Sequence, residues 1–428
     1  MADYQDLADL TPILKNVYLN VRKKAFPMLT PLLAQAKRGG PDRVRYAGND
    51  LFFDVKLGRR GGFVASAQGF TPDHVSAVER QGRLGVSRMY ATVQVDNLAT
   101  RATEDPKGAF ISLSKKVTED VMDQWQLEQN RVLHGDGRAI RALVVAKGSE
   151  TSYTVNSPYG IDAGPGNLHL EVGDTIALLD ATDSFATVHG KDTISAISLS
   201  GDTATITVSG TLDGSGTGAA GDAIVTAVPA ATDTSNTSFA AEPYGIMAFV
   251  DVEANFATFE GIAHTRWVAQ KATSTTVDET VIMQLLNQIR NRAGVDYRAN
   301  PKGMLLLTTT GIWQQYGESL LGLRRFDAPT MELNGGFKGV QVAGATLIDD
   351  PWCPRGRIYA IHTPDTIFVD LMDFGQLSYQ DSPRWQRATN RDAYEAVFAT
   401  YWNYGITKRN SMGVLSGITD TTNYSPVY

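Results

Sequence analysis

Phe110, Leu113, Val117, Val121, Trp125 and Val132 track one face of a helix, and the run ends in His134-Gly-Asp-Gly, where a glycine can take a left-handed cap. About 26 residues at ~1.5 Å each make a rod of roughly 39 Å, longer than most helices in globular proteins. A rod of that length serves as a backbone, and the other elements have to be laid along it.

The stretches on either side have a different texture. From 150 to 245 the chain is rich in Gly, Ser, Thr, Asp and Ala, with one basic residue, Lys191, against twelve acidic ones. Short strand patterns such as DTISAISLS and TATITVSG alternate with turn signals, which predicts a small acidic β module inserted into the main body. GDTIALL and GDAIVTAV resemble each other, as do the turns before them, which points to an internal duplication. The lack of long apolar faces predicts a solvent-exposed module outside the main core.

On the N-terminal side, Met89, Ala91, Val93 and Val95 alternate with Tyr90, Thr92, Gln94 and Asp96, so this run is a strand. With NDLFFDVKL it is expected to form a hairpin whose connection of roughly thirty residues far exceeds the usual two to five. Further upstream, Leu7, Leu10, Ile13, Leu14, Val17, Tyr18 and Val21 form a helical stripe that Pro27 and Pro31 stop, read as an amphipathic arm.

In the C-terminal half, Thr276 and Glu279 fit a capping box ahead of a helix face of Val281, Ile282, Leu285, Leu286 and Ile289, closed by Gly294. KGMLLLTTTGIWQQYGESL reads as a buried strand running into a helix, and VQVAGATLIDD, GRIYAIHT, DTIFVDLM and RDAYEAVFATYWNYGI as further strands. Mixed elements in this order predict an α+β class.

Composition narrows the function classes. The chain has 428 residues, 43% of them hydrophobic and 20% charged, enough for two or three compact units. No run approaches the ~18 apolar residues of a membrane span, and Asp3, Asp6 and Asp9 stand where a secretion signal would be basic, so a soluble protein made inside a cell is expected, with no membrane partner. Cys353 is the single cysteine, which rules out an internal disulfide and is read as a small buried hydrophobe. Between 37 and 101 there are eleven basic and six acidic residues, a modest excess suited to anionic neighbours.

A search for a chemical site returns little. No P-loop ending follows Gly61 and Gly62, and the histidines at 74, 134, 169, 189, 264 and 362 lie in separate segments without HExxH spacing, so neither cofactor nor metal is expected. DGSGTG at Asp213 lacks the ligand alternation of a calcium loop and reads as a flexible turn. Asp349 and Asp350 are the one tight carboxylate pair at a strand end, and NGGFKG at Asn334 is a turn rather than a nucleophile elbow. No catalytic residue is expected, which favours a structural or binding role over an enzyme.

The conspicuous remaining feature is KLGRRGGFVASAQGF, residues 56–70. Arg59 and Arg60 beside Gly61 and Gly62 could cradle a phosphate in an enzyme of another class, or could cap a pliable hairpin tip that meets a carboxylate on another chain.

The collinear order of arm, glycine-rich hairpin, long helix and mixed α+β remainder resembles the major capsid protein of tailed bacteriophages, the fold named after phage HK97. GRRGGFVASAQG is similar to that family's E-loop tip, GAFISLSKKVTEDVMDQWQLEQNRVLHGDGRA to its spine helix, and DDPWCPRGRIYAIHTPDTIFV and YWNYGITKRNSMGVLSGI to its C-terminal segments. The resemblance implies an N-terminal arm over 1–36, an E-loop region over 37–102, a spine helix of the P-domain over 103–149 and a P-domain return over 246–274. It further implies an A-domain over about 275–370 and C-terminal strands over 371–428, with 150–245 as an inserted β-rich module facing outward. It implies a structural virion protein that self-assembles into hexamers and pentamers of an icosahedral head around double-stranded DNA, held non-specifically, and that is built in the host cytoplasm. Scaffolding, portal and decoration proteins would be its partners. Lys56, Arg59, Arg60, Gly61, Gly62 and Gly69 are then the candidate inter-subunit contacts of the loop. A cellular encapsulin shell is the rival within the same fold.

Overall fold

The computed structural model describes residues 30–38, 42–45, 51–58, 78–98, 113–159, 168–200, 203–213, 218–227, 237–250, 266–300, 303–321, 330–332, 338–342, 344–377, 385–388 and 392–420, with single positions 61, 65, 69, 76 and 166. The expected N-terminal amphipathic stripe from Leu7 to Val21 lies outside these residues.

The helices are Pro31–Arg38 (α1), Leu113–His134 (α2), Ile246–Val250 (α3), Glu279–Ala293 (α4) and Thr310–Leu321 (α5). The expected long helix is α2, with 22 residues described, or ~33 Å. It buries Trp125, Leu127, Val132 and Leu133. Trp125 stacks on Phe374 at 4.5 Å between centroids, which ties the helix to the sheet beside it. The glycine cap differs from expectation: Gly135 N–H closes the last turn on Val132 O at 3.0 Å, and the left-handed residue is Gly137, at φ 81°.

Pro31 opens a helix of its own, α1, as suits a residue with no N–H to leave unsatisfied. Two of the donors at its start are satisfied by distant side chains: Leu32 N–H donates to Asp350 Oδ2 at 3.3 Å and Leu33 N–H to Asn130 Oδ1 at 3.1 Å. Asp350 also accepts from Asn130 Nδ2 and from Trp352 N–H, and it lies 3.1 Å from His134 Nε2. The carboxylate pair therefore splits. Asp350 is a buried structural hub, while Asp349 accepts a hydrogen bond from Thr310 Oγ1 at 3.3 Å.

Two sheets build the main body. In the first, Asp42–Arg45 runs parallel to Thr366–Gln376, which pairs antiparallel with Ala393–Ile406, and Ser87–Asp96 joins the far edge of that last strand. This corrects the expected hairpin. The alternating strand around Met89 pairs with the C-terminal strand, because its half-buried face joins the core beside α2, and Leu51–Lys56 pairs with Glu79–Leu84 instead. Gly82 is opposite Phe53 in that hairpin, and a Cβ there would lie 2.4 Å from the Phe53 ring, so the ring lies over bare backbone.

The second sheet has seven strands ordered Gln270–Thr273, Gly413–Ser416, Ile358–His362, Met304–Thr308, Ala345–Asp349, Lys338–Val342 and Thr330–Glu332. Met304–Thr308 is buried throughout, as its unbroken apolar run requires. Ile282, Leu285, Leu286 and Ile289 of α4 pack on this sheet, and Gly294 caps the helix at φ 70° with its N–H on Arg290 O. The capping box is not formed: the N-cap is Asp278, and Ser274 Oγ accepts from Thr276 N–H instead.

The acidic segment folds as a closed barrel ordered Ala223–Thr226, Ile140–Ser149, Ser152–Asn156, Thr203–Val208, Val188–Ser200 and Thr175–Leu179. Its first strand starts at Ile140, inside the span read as spine helix, because Val144 and Ala142 point into the barrel. The module has an apolar interior of its own, including Tyr153, Ile176, Leu178, Ile194, Ile206 and Ile224. Asp213, read as part of a flexible turn, is fully buried and accepts from Lys147 Nζ at 2.5 Å and from Gly218 N–H at 2.7 Å.

The two GD turns are copies in three dimensions as well. Gly173 and Gly221 have φ of 101° and 98°. Gly173 N–H donates to Ile194 O and Ile194 N–H to Asp174 O, while Gly221 N–H donates to Val144 O and Val144 N–H to Asp222 O. The hairpins that follow Val144 and Ile194 carry a bulge at the same position, and the strands after the two turns pair with each other. The barrel is thus two β-β-β units related by a local twofold.

Candidate functional site

The predicted contact loop springs from the hairpin of Leu51–Lys56 and Glu79–Leu84. The pairing continues one step outward, with Leu57 N–H and Gly58 N–H both donating to Val78 O at 2.7 and 3.1 Å. Lys56 is exposed and opposite Glu79. Gly61 and Gly69 have φ of 89° and 76°, the left-handed region, and nothing lies within 4 Å of a Cβ built on Gly69. Arg59, Arg60 and Gly62 lie outside the described residues.

The base of the loop is fastened. Val55 and Leu57 bury against Trp267, Phe53 stands 6.5 Å from the Trp267 ring, and Arg266 Nη1 donates to Leu57 O at 3.0 Å. Beneath the strand end lies a hollow of about 900 Å³ whose lining includes Lys56, Arg266, Arg292 and Lys408 against Asp54 and Asp365. This cationic lining suits a carboxylate-bearing segment. On the strand itself Phe52 is 53% exposed, an apolar side chain half open to solvent.

A second group, which sequence reasoning missed, joins the barrel to the long helix. Arg131 of α2 pairs with Glu128 at 2.9 Å and with Glu242, while Arg141 of the first barrel strand pairs with Glu128. Glu242 belongs to the chain returning from the barrel, so the network clamps both connections at one point on α2. Burial pushes the Glu128 carboxyl up, but Arg131 and Arg141 outweigh that and hold it well below the usual carboxylate range. Beside them His169 stacks on Trp352 at 5.9 Å, and neither ring nitrogen has a hydrogen-bond partner among the described residues. Burial, then Arg131 and Arg141, hold its pKa well below the ordinary 6.5. Cys353 is buried, and its thiol is pushed up by burial and by Asp350 and Asp420, which makes it unreactive.

Among the described residues no helix is long and apolar enough to cross a membrane. No family model and no curated protein matches the sequence. Solved structures do match, over nearly the whole chain. The capsid of cyanophage A-1(L) aligns with a TM-score of 0.53 at 13% identity, covering 96% of this chain and 98% of that one. The chain has the HK97-like capsid fold. The capsid protein of a native GTA particle shares this fold at a TM-score of 0.50 and 8% identity, covering 98% of this chain and 100% of that one. The encapsulin of the holo-SrpI complex from Synechococcus elongatus PCC 7942 aligns at 0.49 and 8% identity, covering 100% of both chains, a likeness too slight to weigh. Within the capsid fold, the α+β class and the long helix ahead of a mixed sheet stand as the sequence predicted, while the hairpin before them has a different second strand.

Proposed function

We propose that this chain is the major capsid protein of a tailed phage, assembling into hexamers and pentamers of an icosahedral head around double-stranded DNA. The observation that carries this reading is the likeness to a cyanophage capsid protein over 96% of the chain, in a fold that sets a hairpin ahead of a long helix. In this reading Lys56, Arg59, Arg60, Gly61, Gly62 and Gly69 form the part of the loop that crosses a neighbouring subunit. The arginines meet its carboxylates as bidentate pairs, and the glycines let the loop change path. Each contact is weak, and a closed shell repeats it until the sum is large.

The seven-stranded sheet with α4 and α5 is read as the A-domain around the symmetry axes, and the first sheet with α2 as the P-domain. The barrel faces outward, because the ten acidic residues of 140–227, against three basic ones, would be repelled by packaged DNA. Scaffolding, portal and decoration proteins are the partners this role requires, and assembly takes place in the host cytoplasm.

Negative-stain microscopy of the expressed protein tests the reading. Closed shells or ring-shaped capsomers are expected. A protein that stays monomeric at high concentration, with and without co-expressed neighbouring genes, overturns it, and shells filled with a cargo enzyme would reassign it to the encapsulins.

A further inference from the structure

At one end of the barrel Asp180, His189 and Asp222 each bring one ligand-type atom to a common point, all within 4.8 Å of one another. They sit on neighbouring strands: Asp180 follows Thr175–Leu179, His189 lies in Val188–Ser200 and Asp222 precedes Ala223–Thr226. The side chains of His189 and Asp222 are 3% and 1% exposed, and that of Asp180 is 23% exposed. The site is therefore enclosed, with one open side.

The spacing is informative. His189 Nε2 stands 3.6 Å from Asp222 Oδ2 and 3.9 Å from Asp180 Oδ2. Those separations are too long for hydrogen bonds. They approach the ~3.4 Å between ligands of a tetrahedral ion with bonds of about 2.0–2.1 Å.

The turn explains only part of the cluster. Asp222 accepts from Ala181 N–H at 3.0 Å and from Ala219 N–H at 2.7 Å. Its duplicate, Asp174, accepts from Glu171 N–H at 2.9 Å, which is the same structural service. That service requires neither an imidazole nor a second carboxylate. Asp180 uses Oδ1 for the Thr182 N–H and hydroxyl, at 2.7 Å each, and turns Oδ2 toward the imidazole. Two carboxylates converging in a space shielded from water repel each other, and a cation between them removes the repulsion.

We propose that Asp180, His189 and Asp222 form a divalent-cation site of the zinc class, with water in the remaining position. One nitrogen and two oxygen ligands suit Zn²⁺ better than the all-oxygen preference of Ca²⁺ or Mg²⁺. The bound ion pins the connection 180–189 to the turn 219–222 and so closes this end of the barrel. The site does not depend on the shell-forming role.

The test uses full-length protein without a polyhistidine tag, stripped with chelator, dialysed, and titrated with ZnCl₂ by calorimetry, with metal content measured after gel filtration. The expected result is one equivalent at micromolar affinity or tighter and a rise in melting midpoint that chelator reverses. Asp180→Asn and His189→Gln should each weaken binding by at least the roughly 10–100-fold that loss of a ligand's hydrogen-bond partner costs. Asp180 is the most exposed ligand, so Asp180→Asn should keep the wild-type circular dichroism, and it decides the matter if His189→Gln does not fold. Absence of saturable binding, or binding unchanged in Asp180→Asn, overturns the site.

Discussion

The barrel junction and the extended hairpin differ in how their charges are used. At the junction, Glu128, Arg131, Arg141 and Glu242 are largely enclosed and ion-paired with one another, so each holds its partners in place. On the hairpin, Lys56 and Gly69 are exposed, and among the described residues the base is fixed by Trp267 and Arg266. A charge surrounded by its own chain stabilises one subunit; a charge held away from it is available to another. Conspicuous charges in a sequence therefore point toward partners, and scattered ones can meet inside.

Removing the central charge of the junction should have the largest effect on the subunit. Arg131→Met takes from buried Glu242 its closest partner and leaves Glu128 to Arg141 alone, with an expected loss of about 3 kcal/mol. Urea denaturation of the unassembled subunit measures it, and a loss below ~1 kcal/mol would erase the contrast between the two regions. Gly82→Ala tests the fixed base of the hairpin. The added methyl meets the Phe53 ring, and an overpacking cost of about 1–3 kcal/mol is expected by the same measurement.

The junction also carries a pH signature. His169 has a depressed pKa when folded, so below its ordinary value of 6.5 the unfolded chain binds the extra proton. The stability it contributes is complete above that pH and falls as pH drops, by at most about 1.4 kcal/mol per pH unit for one proton. His169→Phe keeps an aromatic ring over Trp352 and should flatten the melting midpoint between pH 7 and 5.5. An unchanged slope would assign the acid sensitivity to other groups.

The smallest effect on the isolated subunit belongs to Arg59→Ala with Arg60→Ala. Its stability should stay within about 0.5 kcal/mol of wild type, while the yield or melting temperature of assembled particles falls. Particles of normal yield and melting temperature would place both arginines in solvent rather than against a neighbour.

Periodicity alone determined the existence and type of most elements. The stripe through Trp125, the alternation around Val93, the unbroken run of Met304–Thr308 and the face through Leu285 are local consequences of 3.6 and 2.0 repeats. The likeness of the two GD turns was also legible in the sequence, because a left-handed glycine followed by an aspartate that accepts its own turn's N–H is a local motif.

Pairing and encounter were decided by tertiary structure. The strand through Met89 found the C-terminal strand instead of its nearer neighbour, since burial of one face outweighs proximity in the chain. Asp350 met α1, Glu128 met Arg141, and His189 met two aspartates that lie 9 and 33 residues away. Such sites carry no sequence signature, because charged groups shielded from water are matched through space, where the spacing along the chain is set only by how the strands and turns between them fold.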